Sequence, residues 1–461
     1  MGGSICMLPS MAFVRKLQNF RTPLAAAAVA LLLVPAVRGE AKRGLICVLD
    51  RGALGDGKVD DTAALQAALD ESGSQGGGIV EVPAGNYRIA GTLSIPANVT
   101  LRGTFTSAPS ASGELFANGR RLGSTLFAYA GRGQPDGVPF IQLAGMNATI
   151  EGFVITYPEW SKADVPPVPY PPTVSVGRNS RVSIDNVAIQ NCMFLNSYDA
   201  IRLIGAGRHL IRNVTGYPSH SGIYMDWIGD IGRIENVHFW PFGTAYSVND
   251  PYSQWINKNG VAFELAFTDW QALVDCFSFG YGVGYKFIAS PNSHHPSCGK
   301  MIGCGADSCG LPLDFEAAYS HWEISDGEFV GRWGSKDTSA VEIGPGVQDR
   351  ISFTNCAFWG PIARVVTMRA PKGIVSLDSC EIQTWSDTAG AIDIEAGRAI
   401  LTGNSFDRPG KRHLVVGKGA GTVIATGNLA EPFFDVQAAP GTTVIQSANE
   451  TAPQQTGTSG R

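Results

Sequence analysis

The chain has 461 residues, of which 44% are hydrophobic and only 16% charged, with 56 glycines and a net charge of −5; an ordinary soluble domain is about 25% charged and about 7% glycine. Too little Glu, Lys and Arg is present to cover the wet faces of helices, which excludes a helical bundle and favours short strands and turns. No run of Lys or Arg is available to neutralise a row of phosphates, so nucleic acid is excluded as a partner, and an acidic polysaccharide would need local cations in its cleft.

At the start, Arg15, Lys16 and Arg21 precede the apolar run Pro23 to Val37 and the small-residue site Val37-Arg38-Gly39. That is the pattern of a secretory signal peptide over 1–39, and its apolar run is short for a membrane span of about 20 residues. The expectation is a secreted or periplasmic protein, with no membrane contact after cleavage, whose residues 40–446 form one domain. Within it, 52–104 stand apart as a cap and first coils. Asp60-Asp61-Thr62 supplies N-cap chemistry ahead of AALQAALDES, an amphipathic helix of about three turns ended by Gly73 to Gly78, and IVEVPAGNYRIAGTLSIPANVTLRG then gives three strands. Asp56, Asp60 and Asp61 are read as capping groups.

Further along, alternating apolar residues that end in Asn or Asp recur as SIDNVAIQNCMF, LIRNVTGY, RIENVHF, LVDCFSF, EISDGEF, ISFTNCAF and VSLDSCEI. The anchors Asn213, Asn236, Asp275, Asp326, Asn355 and Asp378 are mostly spaced by roughly 22 to 29 residues, and a Gly- or Ala-led second strand lies between them: AIRLIG, GIYMDW, GVAFEL, GVGYKF, AVEIG and AIDIE. Short strands at a steady period, broken by Gly and Asn, point to a stacked parallel β solenoid rather than a hairpin-built sandwich. Cys192, Cys276, Cys356 and Cys380 recur at one repeat position and read as small buried hydrophobes. Cys298, Cys304 and Cys309, near His294 and His295, fit no familiar zinc spacing; a local disulfide or buried thiols are expected, and no metal. Residues 447–461 are polar and aperiodic, which suggests a disordered tail. Sequons stand at Asn98, Asn147, Asn213 and Asn449, two of them in repeat strands or turns where Asn has a structural use.

The segment GALGDGKVDDTAALQAALDES with GGGIVEVPAGNYRIAGTLSIPANVTLRG resembles the N-terminal segment of the pectate lyase superfamily, including its rhamnogalacturonase and epimerase-like members and polygalacturonase relatives. The resemblance implies an all-β fold, a right-handed parallel β-helix with a short N-terminal capping helix, acting on polysaccharide. The segment is scaffold shared by hydrolases, lyases, epimerases and tailspikes, so it leaves the reaction open.

Stacked strands lie about 4.8 Å apart, so one repeat position becomes a column across the surface. Aligning the Gly-led strands turns Ile223, Met225, Val261, Phe263, Val283, Tyr285 and Phe287 inward. It sets Arg202, Tyr224, Ala262 and Gly284 in one outward row and Asp226, Glu264, Lys286 and Asp314 in another. Asp226 and Glu264 would then lie about 5 Å apart, as a retaining glycosidase pair requires, with Lys286 holding a sugar carboxylate or removing a proton. NSYDAI loosely resembles the polygalacturonase Asn-Thr-Asp-Gly motif at Asn196 and Asp199, and SHSGIYMD its Gly-His-Gly motif at His220 and Gly222; that family's double-Asp and Arg-Ile-Lys motifs are missing. Asp199 is a candidate acid and His220 a candidate for orientation or proton transfer. Aromatics crowd the same stretch, and Trp227 and Trp255 join Arg202, Tyr224, Lys286 and Asp314 as candidate sugar contacts, the insertion Trp240 to Asn259 forming a wall.

The first functional reading is a glycoside hydrolase acting on a pectin-like or other uronic-acid-containing glycan through paired carboxylates among Asp199, Asp226 and Glu264. The second is a lyase or C5-epimerase, which needs a Lys, Arg, His or Tyr base and a cation or Ca²⁺ to stabilise the enolate. The third is a noncatalytic carbohydrate-binding solenoid. The hydrolase needs no cofactor.

Overall fold

A computed structural model describes residues 44–108, 122–176, 183–333, 338–386, 389–409 and 411–449; the signal-peptide reading falls on residues outside these. Strands pair in parallel from one coil to the next, and three ladders wind into a β-helix. The first runs through Asp199–Ile204, Ser221–Asp226, Val261–Leu265, Val283–Phe287 and the start of Leu311–Ser325. The second and third are the two arms of each anchor repeat, as in Arg233–Phe239, whose first half pairs with Gln271–Val274 and whose second half pairs with Phe277–Phe279.

Each coil buries its inward residues only against the coils above and below. In the first ladder Ile223, Phe263, Tyr285, Leu313, Val341 and Val366 occupy one register position and all are buried. Flat rings stack there: Phe263 on Tyr285 with centroids 4.7 Å apart, and Phe287 on Phe315 at 4.3 Å. Val261 and Val283, expected inward, are only half-buried.

The corner between the second and third ladders explains the anchors. Asn191, Asn213, Asn236, Asp275, Asp326 and Asn355 all take positive φ of 50° to 56°, a left-handed turn that Asn and Asp tolerate best among residues with a side chain. Their side chains bond rung to rung, Asn236 Nδ2 to Asn213 Oδ1 and Asn213 Nδ2 to Asn191 Oδ1, both 3.0 Å. In the next repeat Ser379, not Asp378, takes the left-handed conformation. The residue after each turn points inward. Cys192, Cys276, Cys304, Cys356 and Cys380 fill that position as buried free thiols, as do Cys298 and Cys309 elsewhere. In the last coils Asn404, Asn428 and Asn449 replace sulfur there, Asn404 Nδ2 donating to Asn428 Oδ1 at 2.9 Å and Asn428 Nδ2 to Asn449 Oδ1 at 3.0 Å. Of the expected tail 447–461, Ser447 closes the strand Thr443–Ser447 and Asn449 is a rung of the fold; residues 450–461 lie outside the described residues.

Helix α1 (Thr62–Ser74) covers the N-terminal end with Leu65, Ala68 and Leu69 buried. Asp60 accepts from Thr62 N–H at 3.1 Å and Thr62 Oγ1–H at 2.5 Å, while buried Asp61 accepts from the Leu54 and Gly55 N–H groups. Among the described residues no helix is long and apolar enough to cross a membrane.

Candidate functional site

The outward side of the first ladder carries a column of functional side chains. Register places Arg202 beside Tyr224, Tyr224 beside Glu264, Glu264 beside Lys286 and Lys286 beside Asp314. The expected rows are therefore corrected. Ser221 pairs with Val261 and Ile223 with Phe263, an alignment two residues away from one that matches Gly222 to Gly260. Tyr224, not Asp226, is the neighbour of Glu264.

Asp226 sits at the end of its strand, fully buried. Its carboxylate accepts from Trp227 N–H at 2.9 Å, Phe267 N–H at 3.2 Å, Ser290 Oγ–H at 3.0 Å and Asn292 Nδ2–H at 3.0 Å. Four donors from three coils leave it no room for an acid–base role, and the expected Asp226–Glu264 pair does not form. Asp226→Ala is expected to lower unfolding free energy by about 3 kcal/mol or more, because each orphaned buried donor costs about 1–3 kcal/mol. Chemical denaturation would measure the loss, and turnover per folded molecule should remain within about tenfold.

At the edge of the column His220 Nδ1–H donates to Asp199 Oδ1 at 2.7 Å. The imidazole stacks on Tyr198, centroids 4.7 Å apart and planes 11° from parallel, and Trp255 lies 6.4 Å away. Trp255 comes from helix α2 (Pro251–Asn259), the helical part of the expected wall; Asp250 caps it by accepting from Ser253 N–H at 2.9 Å. The bond to Asp199 raises the His220 pKa against an opposing effect of burial. Carboxylate, imidazole and a free Nε2 form the orienter-and-base arrangement that general-base chemistry uses. Asn196, expected beside Asp199 in function, is instead buried and joined to Tyr157, whose N–H it accepts at 2.8 Å.

Electrostatics along the column are uneven. Burial raises the Glu264 pKa, Lys286 opposes it and Glu316 adds to it; the His220 and Asp199 charges also reach this carboxyl. Burial pushes the Tyr224 phenol well up, reinforced by Asp226 and Glu264, so it holds its proton. The Arg202 guanidinium lies over the Tyr224 ring, 5.2 Å from its centroid. Burial works to lower the Lys286 pKa, but Glu316, at 2.9 Å, with Glu264 and Asp314 raises it overall. Trp227, expected as a sugar contact, is 46% exposed and set edge-on to Phe267 at 6.1 Å, at the opposite end of the strand from His220.

Asp314 is pushed from 3.8 to about 6, first by burial and then by Glu316, with Lys286 opposing. The folded state holds this proton more tightly than the unfolded chain. Stability is therefore expected to fall as pH rises from about 4 to about 6, and to return as pH drops. Asp314→Asn should reduce that slope in denaturation midpoints measured across the window.

Tyr198 and Glu316 were not singled out from the sequence. Tyr198 lies inside NSYDAI, so adjacency to Asp199 was the available signal; Glu316 follows Asp314 by two and so shares its outward side. Among the described residues no group of three or more His, Cys, Asp or Glu is placed to hold a metal ion, and the cationic side chains of the column are Arg202 and Lys286.

Residues 45–259 match the family model for rhamnogalacturonase A/epimerase, pectate lyase-like proteins. Mannuronan C5-epimerase AlgE3 of Azotobacter vinelandii is 51% identical over 63 residues, 12% of this chain and 3% of that protein. Alginate lyase 7 of the same organism is 57% identical over 44 residues, 10% of this chain and 5% of that protein. The chain thus spans a few per cent of the length of these curated relatives. Among solved structures, the A-module of A. vinelandii mannuronan C-5 epimerase AlgE6 superposes with a TM-score of 0.51 at 16% identity, covering 89% of this chain and 100% of that one. That likeness is one of fold, a right-handed parallel β-helix.

Proposed function

We propose that this β-helix is an exported polysaccharide-active enzyme that moves the proton beside a uronate carboxylate, as a lyase or a C5-epimerase does. The observation that carries the reading is the column itself: Arg202, Tyr224, Glu264 and Lys286 on successive rungs, with the Asp199–His220 pair at its edge. Removing such a proton places negative charge on the sugar carboxylate, and Arg202 and Lys286 supply positive charge at that surface. His220, held through Nδ1 by Asp199, offers Nε2 as the base. Tyr224 keeps its proton and serves as the donor, to a departing glycosidic oxygen in elimination or to the opposite sugar face in epimerisation. Curated relatives named as epimerases and a lyase support the reading over the stretch they share.

A hydrolase stays as a second reading on one observation. Glu264 and Asp314 stand two rungs apart, roughly 9.6 Å, near the upper end of the spacing of about 6.5–9.5 Å used by inverting glycosidases, and both carboxyls are raised. A screen over pectic, alginate and neutral glycans separates the readings. Ultraviolet absorbance from unsaturated sugar marks a lyase, deuterium uptake from heavy water without chain cleavage marks an epimerase, and new reducing ends without absorbance mark a hydrolase. Binding with none of the three would leave a noncatalytic solenoid and sink the proposal.

A further inference from the structure

The third ladder carries a second groove, of about 380 Å³, on a different ladder from the column and lined in part by Phe277, Asp307, Glu328 and Trp359. One indole, Trp359, lines it, and a second, Trp333, stands beside it. Trp333, 48% exposed, donates Nε1–H to Asp307 Oδ1 at 3.2 Å, and Trp359 donates to Glu328 Oε1 at 2.7 Å. The rings meet edge to face, 6.2 Å apart at 68°. We propose that this groove is an accessory binding site for a neutral oligosaccharide.

Sugar rings present apolar C–H faces that pack on aromatic planes, and their hydroxyls need acceptors close by. Both are supplied here, and the bonds to carboxylate hold each indole before a ligand arrives, which lowers the ordering cost of binding. Charge selects the class of ligand. Asp275 and Asp326 join Asp307 and Glu328 along the groove, and its lining holds no Lys or Arg, so a uronate is repelled while a neutral sugar is not. Phe277, Gly305, Glu328 and Ala357 are successive register partners; three rungs make roughly 14 Å, the reach of an oligosaccharide rather than one ring. The inference stands whether or not the column turns a substrate over.

Isothermal titration of the full chain carrying His220→Ala and Glu264→Gln, which disables the column under either reading, tests it with cellohexaose, laminarihexaose and a mannuronate hexasaccharide. Saturable binding of at least one neutral probe is expected, weakened at least tenfold by Trp333→Ala and by Trp359→Ala, and kept within about threefold by Trp359→Phe. Trp333 is surface-exposed, so its variant keeps the test open should Trp359→Ala not fold. Failure of both neutral probes to bind, binding that survives both alanine variants, or equal binding of the mannuronate probe at the two tryptophans overturns the proposal.

Discussion

His220→Ala is expected to lower turnover at least a hundredfold on whichever glycan the enzyme accepts, the range that loss of a positioned base produces. The imidazole is held by Asp199 Oδ1 at 2.7 Å on one side and by the Tyr198 ring on one face, so its Nε2 direction is fixed before substrate binds. Asp199→Asn should give a distinct signature. The ring would stay near its place, but the pKa that Asp199 raises would fall, and the acid limb of the pH–rate profile would move to lower pH. Steady-state rates from about pH 5 to 9 on both variants read this directly. His220→Ala with turnover near that of the parent would remove the proposed base.

Asn428→Ala is expected to cost about 3 kcal/mol or more, the largest loss of stability among single changes in the last coils. Asn428 is fully buried. Its amide donates to the Leu401 carbonyl and to Asn449 Oδ1, both at 3.0 Å, and its oxygen accepts from the backbone N–H and the side chain of Asn404. Alanine leaves the Leu401 carbonyl and the Asn404 donors without this partner in a buried site, at about 1–3 kcal/mol for each orphaned group. Urea unfolding gives the number; a change below about 1 kcal/mol would show the ladder to be dispensable.

The architecture was legible because alternation and left-handed corners leave marks in composition. Asn213, Asn236, Asp275, Asp326 and Asn355 stand where a turn forbids most side chains, with Gly303 taking the same corner in the coil between Asp275 and Asp326. Neighbour identity along the column was not legible. Sliding one strand by two residues keeps every side chain on its own side of the sheet, so Ile223, Met225, Phe263 and Tyr285 came out inward under either alignment. The same slide exchanged Tyr224 for Asp226 beside Glu264. The backbone pairing of Ser221 with Val261 shows which alignment holds, and the inward-outward pattern of those strands is the same for both. His220 and Asp199 were found by a loose motif, whereas the contact between them depends on two coils meeting.

Arg202, Tyr224, Glu264 and Lys286 each come from a different turn of the chain, and that division of labour bears on how such a site can change. Inserting one whole turn between two neighbours would widen their separation by a fixed step of about 4.8 Å, provided that the new turn packs on the turns above and below it. A lineage of these proteins can therefore re-space its chemistry by counting turns, without redesigning a single residue.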